Sequence, residues 1–464
     1  MKLKRLIGTA DFYRTVLTVA VPIMIQNGIT TFVGLLDNIM IGQVGTEQMS
    51  GVAISNQIIF VYNLALFGII SGASIYGAQF FGNRDMEGVR YAFRFKLLSS
   101  SLIFAAGTVI FLFWGAPLIG LFLHEGESGS DLELALASGV EYLRLMIFGL
   151  FPFAISQAYA GTLRETGENV VPMYAGVAAV IVNVIFNYLL IFGKLGLPAL
   201  GVAGAAIATV LSRYVELAII LIWAHTHLDR NPYLRGAYRS MKIPGRLVRQ
   251  IVIKGAPLAA NEVLWSVGMT VLIQCYSVRG LEVVAAFNIS NTINNVFSTV
   301  FMAIGSAVSI LVGQQLGAGE LERARDTAYK TIAFAFLCCV TIGGVMALAS
   351  PYFPLIYQTS DQVRSLASTL ILIVAICMPQ NGVLHSTYFT IRSGGKTLIT
   401  LLFDSGFVWG LMIPIAWGLT HYTSLSMPLV FIAVSAVDLV KCFVGFRLLR
   451  SDMWLNNMTR SLEF

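Results

Sequence analysis

The sequence predicts an all-α integral membrane protein with twelve transmembrane helices in two six-helix bundles. Three observations lead there: composition, hydrophobic run length and an internal repeat. Of the 464 residues, 56% are hydrophobic and only 12% are charged, with mean hydropathy +0.77. Soluble domains carry about 25% charged residues, so half that content argues against a water-soluble fold.

Apolar runs long enough to cross a bilayer, about 20 residues each, occur at 15–41, 53–81, 95–122, 137–160, 170–192 and 199–225, then at 250–276, 283–312, 328–357, 366–390, 397–420 and 427–449. The opening "MKLKRLIGTADFYR" leads into a run too long for a signal-peptide core, and no small-residue cleavage pattern follows. It reads as a retained first span. Cys275, Cys338, Cys339, Cys377 and Cys442 all fall within runs, which excludes a disulfide framework and shows no metal-type spacing.

The loops set the orientation. Of the 30 Lys and Arg, 25 lie at the termini and in the even-numbered connections. The opposite side carries only Arg144, Lys194, Arg279 and Arg364, and Arg213 lies inside a span. This asymmetry places both termini in the cytoplasm, as expected for a multi-pass protein of a bacterial-type plasma membrane. The net +6 is therefore a topology signal. Basic residues spread thinly over short loops argue against a nucleic-acid partner.

Shifted by 235 residues, the second half matches the first without a gap from Pro22 to Gly82, with 14 of 61 positions identical. Pro22 pairs with Pro257, "ISN" at 54–56 with "ISN" at 289–291, Gln79 with Gln314 and Gly82 with Gly317. Hydrophobic bias does not explain shared Pro, Gly, Asn and Gln. Further on, "LRETG" (163–167) and "IRSGG" (391–395) mark a second register of 228. The expected organisation is an N-terminal six-helix lobe over 1–225, a cytoplasmic linker over 226–247 and a C-terminal six-helix lobe over 248–464. Six is even, so the repeats are parallel, an arrangement suited to alternating access. That favours a transporter over a channel or a membrane enzyme.

A carboxylate at mid-span costs about 2.5–3.5 kcal/mol on insertion scales, so intramembrane acids are functional candidates. Asp37, in "GLLDNIMIG", lies in the outer part of the first span. At that depth the fifth span offers Asn183 and Asn187, four apart and so on one helix face, and the sixth offers Thr209 after "GVAGAAIA". Small residues permit close helix approach. One carboxylate, two amide carbonyls and one hydroxyl suit a hard cation such as Na⁺. The same group also suits a carboxyl that carries a proton. Glu262, mid-span in the seventh run, reads as counter-charge for a cationic substrate or as a second ion site. Arg213 with Glu216, and Lys441 with Asp438, are three apart and read as structural ion pairs. Asp404 finds no partner by spacing, and His385 reads as a core histidine. "SGGKT" (393–397) resembles the tail of a phosphate-binding loop, but Thr390 stands where its first Gly belongs. ATP drive is not expected, and no cofactor beyond H⁺ or Na⁺ as coupling ion.

"LLDNIMIGQVGTEQMSGVAISNQI" and "LRETGENVVPMYAGVAAVIVNVIFNYLLIFGKLGLPALGVAGAAIATVLS" resemble multidrug and toxic compound extrusion (MATE) transporters. The resemblance runs the whole chain in length, span number and duplication. It implies twelve helices in two lobes forming a V, and export of amphipathic or cationic compounds in exchange for Na⁺ or H⁺. Drug-like substrates and membrane lipid are the implied partners, and a monomer is expected. By position it assigns ion coupling to Asp37, Asn183, Asn187 and Thr209, which also form the metal site if the ion is Na⁺. It assigns a substrate or second ion site to Glu262 and Asn381. Some members carry Asp where Asn187 stands, and some carry Asp where Asn381 falls. The C-terminal site is thus the weaker of the two here.

Two other functions compete. A lipid-linked glycan flippase of the related superfamily calls for a cationic cleft, and Arg213 and Lys441, the clear intramembrane cations, each sit near an acid. A membrane enzyme or receptor calls for a nucleophile–base pair, a metal motif or a soluble domain, and none is evident.

Overall fold

The computed structural model describes residues 6–123, 132–460 and 462. Among them are twelve helices long and apolar enough to cross a membrane. The first six are α1 (Ala10–Gly42), α2 (Thr46–Gly82), α3 (Met86–Gly120), α4 (Leu132–Glu165), α5 (Val170–Phe192) and α6 (Val202–Thr226). The second six are α7 (Gly245–Ser277), α8 (Leu281–Gly317), α9 (Leu321–Ala349), α10 (Asp361–Ser393), α11 (Thr397–Tyr422) and α12 (Met427–Arg450). At 1.5 Å per residue the 37 residues of α2 and of α8 reach about 55 Å, well past a hydrocarbon core of about 30 Å.

The duplication is carried into the helix boundaries. Adding 235 to both ends of α1 and of α2 gives the ends of α7 and of α8. Pro22 and Pro257 sit inside α1 and α7 at matching places. Each removes one intrahelical hydrogen bond, which helix neighbours in a membrane can tolerate.

The chain forms two compact units. One comprises Ile25–Gly77 and Met86–Arg249. Within it α5 packs on α6, and α4 on α3 and α6. Gly193 ends α5 in the left-handed region (φ 64°), returning its N–H to the Leu189 carbonyl. Gly204 brings α6 onto α5, since a Cβ there would stand 2.6 Å from the Leu190 carbonyl. That close approach sets Thr209 against Asn183.

The connection after α6 is folded into this unit. Residues Pro232–Leu234 make one 3₁₀ turn, and Tyr233 is fully buried against Phe93, ring centroids 5.5 Å apart. Arg94 clamps the segment, donating to the carbonyls of Ala237 (2.8 Å), Gly236 (3.0 Å) and Lys242 (3.2 Å). Arg90 donates to the Tyr233 carbonyl at 3.1 Å. Net, a hydrogen bond to a charged group contributes about 1.5–3 kcal/mol. Arg94→Ala is therefore expected to raise tryptic cleavage after Arg239 and Lys242 by at least about tenfold. An unchanged cleavage rate removes the clamp.

The other unit comprises the described residues of Met1–Met24, Ala78–Asp85 and Gln250–Phe464. Here α10 packs on α8, α9 and α12. Val19, Ala20 and Ile23 of α1 share a core with Ala303, Ile304, Ala307 and Ile310 of α8. Gln79, at the end of α2, accepts from the Met458 backbone N–H (2.8 Å) and donates to the carbonyls of Ser393 (3.0 Å) and Asn456 (3.2 Å). The segment after α12 is anchored by buried Trp454 and by Arg325, which donates to both Asp452 oxygens at 3.1 and 2.7 Å.

Candidate functional site

Asp37, Asn187, Asn183 and Thr209 form one continuous hydrogen-bonded chain across α1, α5 and α6. Asn187 Nδ2 donates to Asp37 Oδ1 at 2.5 Å and to Asn183 Oδ1 at 3.1 Å. Asn183 Nδ2 donates to Thr209 Oγ1 at 3.2 Å, and that hydroxyl donates to the Ala205 carbonyl at 3.0 Å. The i, i+4 spacing of the two asparagines aligns them on one face of α5, and both are buried. With its amide nitrogen committed twice, Asn187 leaves its Oδ1 buried without a partner. An orphaned buried acceptor costs about 1–3 kcal/mol. A cation or a proton-bearing group at that oxygen would recover the loss. Tyr142 of α4, also buried, lies against Asn56 and Thr209 and closes the site on that side.

The other unit carries a different arrangement. No hydrogen bond or ion pair joins Glu262 to Asn381 among the described residues. Asn381 instead offers its backbone carbonyl to His385 Nδ1 at 3.1 Å, and the His385 ring packs on Phe301, centroids 4.4 Å apart. The polar cluster centres on the neighbouring Asn261, which donates to Asp404 Oδ2 at 3.1 Å and accepts from Ser405 Oγ at 2.7 Å. Lys441 completes it, donating to Asp404 Oδ1 at 2.7 Å. This corrects the spacing-based pairing of Lys441 with Asp438. A partner on its own helix would have left Asp404 a buried carboxylate without counter-charge, the costlier outcome. Arg213 likewise makes no ion pair with Glu216: it donates to the Gly149 carbonyl at 3.3 Å and lies 4.6 Å over the Phe153 ring.

The sequence profile of the MatE family matches residues 22–189 and 257–417, well over half of the chain. The chain belongs to the MatE family. A curated relative, the probable multidrug resistance protein NorM of Thermotoga maritima, is 25% identical over 90% of this chain and 88% of its own length. The multidrug resistance protein MdtK of Edwardsiella ictaluri is 25% identical over 78% of each chain. Among solved structures, a multidrug resistance MATE family transporter in an outward-facing conformation superposes with TM-score 0.86 at 21% identity, covering 98% of both chains. A MOP superfamily transporter from Pyrococcus furiosus superposes with TM-score 0.84 at 21% identity over the same share.

This MatE protein also holds a buried charge pair that spacing along the chain does not reveal. Lys96 of α3 donates to both Glu165 oxygens at 2.6 Å and to Thr162 Oγ1 at 3.1 Å, so all three ammonium protons are used. The Lys96 side chain is 0% exposed. Gly77 makes the space: a Cβ there would fall 2.0 Å from Glu165 Oε2. The available clue was the acid in "LRETG" at the end of the fourth span together with the basic residues around the start of the third.

Proposed function

We propose that this MatE protein is a secondary active multidrug antiporter, exporting amphipathic or cationic compounds in exchange for H⁺ or Na⁺. The observation that carries the reading is the Asp37–Asn187–Asn183–Thr209 chain with its unpartnered Asn187 oxygen. Oxygen-rich surroundings next to a single carboxylate suit a small cation. Filling that site would favour one orientation of the transporter, and substrate the other. Coupling requires such differential binding. The names of the relatives support drug-like substrates, and the asymmetry of basic residues supports cytoplasmic termini in a bacterial-type plasma membrane, with the monomer as the working unit.

The test uses purified protein in proteoliposomes at clamped membrane potential, with ethidium as the transported probe. Imposing an inward Na⁺ gradient and an inward H⁺ gradient separately should drive ethidium export with at least one of them. Export that ignores both gradients sinks the reading.

A further inference from the structure

The Asp404–Lys441 pair lies among the transmembrane helices of the unit that does not contain Asp37, and has no part in the proposed coupling chemistry. Its environment differs in kind. Asp404 receives Lys441 Nζ at 2.7 Å on one oxygen and Asn261 Nδ2 at 3.1 Å on the other. The Asn261 amide oxygen, Oδ1, is held by Ser405 Oγ at 2.7 Å and Ser405 N–H at 3.3 Å. Tyr388 OH lies 3.4 Å from Asn261 Nδ2. Donors, not free carbonyl oxygens, surround the carboxylate. A metal cation would find no oxygen cage here, whereas a proton needs only the carboxylate itself.

Both helices that contribute the charges are irregular beside them. The α-helical part of α11 ends at Phe407, and a π-helical turn over Val408–Met412 begins four residues after Asp404. In α12 the regular helix is interrupted at Ala436, two residues before Asp438, and Gln380 of α10 reaches the Ser435 carbonyl at 3.4 Å. Single π turns in α-helices are frequent at functional sites. Asp438 lies three residues before Lys441, on the same face of α12, and accepts no hydrogen bond among the described residues. Lys441 therefore has two carboxylates within reach, one on the neighbouring helix and one on its own.

We propose that Asp404 is a second proton site, and that its protonation releases the Lys441 ammonium to Asp438, uncoupling α12 from α11 at the two irregular turns. One proton from the aqueous phase forms an O–H bond on Asp404. Lys441 keeps its charge and exchanges one carboxylate for another, so no charge is left buried alone, the condition that makes half of a buried pair so costly. Other charged or titratable groups around the pair and Asp438 are Glu262 of α7, Cys377, His385, Tyr388 and Arg392 of α10, and Cys442 of α12. The inference rests on ion-coupled transport as the function but not on Asp37 as its site.

The test is infrared difference spectroscopy between acid and alkaline pH on the purified full chain in lipid bilayers. Many carboxyls contribute to the acid C=O envelope; one resolved band within it is expected in wild type, retained in Asp37→Asn and Glu262→Gln, and lost in Asp404→Asn. In Asp438→Asn, where Lys441 has no second partner, the same band should need about tenfold more acid. Should Asp404→Asn fail to fold, Asp404→Asn with Lys441→Met removes both charges together and must also lack the band. An acid C=O envelope in either Asp404 variant that is unchanged from wild type overturns the proposal. Gradient-driven ethidium export at the wild-type rate in Asp37→Asn, while the Asp404 band behaves as expected, refutes the Asp37 assignment alone.

Discussion

Replacing Asp37 by Asn should leave a folded protein whose ethidium export no longer responds to the coupling gradient. The side chain keeps its shape, and its amide oxygen can still accept from Asn187 Nδ2, as Asp37 Oδ1 does at 2.5 Å. What disappears is the charge that gives a cation reason to prefer one transporter state. Allosteric coupling of this kind is typically worth 5- to 150-fold between states, and gradient-driven export should fall by about that factor. Equilibration of the dye down its own gradient should be less affected, because that step needs no second ligand. The measurement is initial efflux rate with and without the gradient, at fixed potential. Ion-dependent export at the wild-type rate in Asp37→Asn would move the coupling site elsewhere.

The largest stability effect is expected at Lys96 and Glu165. Both side chains are almost fully enclosed, and among the described residues the ammonium donates to Glu165 and Thr162 alone. Removing one partner of a buried pair costs about 3–5 kcal/mol, because the remaining charge is stranded, whereas replacing both by apolar groups is often neutral. Lys96→Met and Glu165→Leu should each lower unfolding free energy in mixed micelles by about that amount. The double variant should recover most of the loss. If each single variant is as stable as wild type, the pair is not fully desolvated in the membrane. If the double variant is no better than the singles, the pair contributes through more than charge neutralisation.

The fold class was legible because bilayer-length runs, basic-residue asymmetry and a gapless repeat are each written locally in the chain. Asp37 and its partners were legible for a related reason. A carboxylate in an apolar run is conspicuous, the i, i+4 asparagines define one face, and the small residues before Thr209 announce close packing. Lys441 shows where such reading stops. Spacing along one helix offers Asp438, but the choice between Asp438 and Asp404 depends on how α11 packs on α12, and no local pattern encodes that packing. Lys96 and Glu165 failed to stand out because each sits near the end of its span, where charge is ordinary. The clamp on residues after α6 was hidden too. Arg90 and Arg94 look like topology signals, and only the folded chain shows that they bind carbonyls.

The shared core of α1 with α8 has a consequence for biogenesis. Val19, Ala20 and Ile23 pack on residues, Ala303 to Ile310, that are made about 280 residues later. At roughly 5–20 residues per second, the start of α1 waits from roughly 15 s to a minute in the membrane for its partner. Gln79 waits longer still, because Met458 follows it by 379 residues. One of the two units therefore cannot close until the residues after α12 have been made. During that interval its exposed face is a natural client for an insertase or a membrane chaperone.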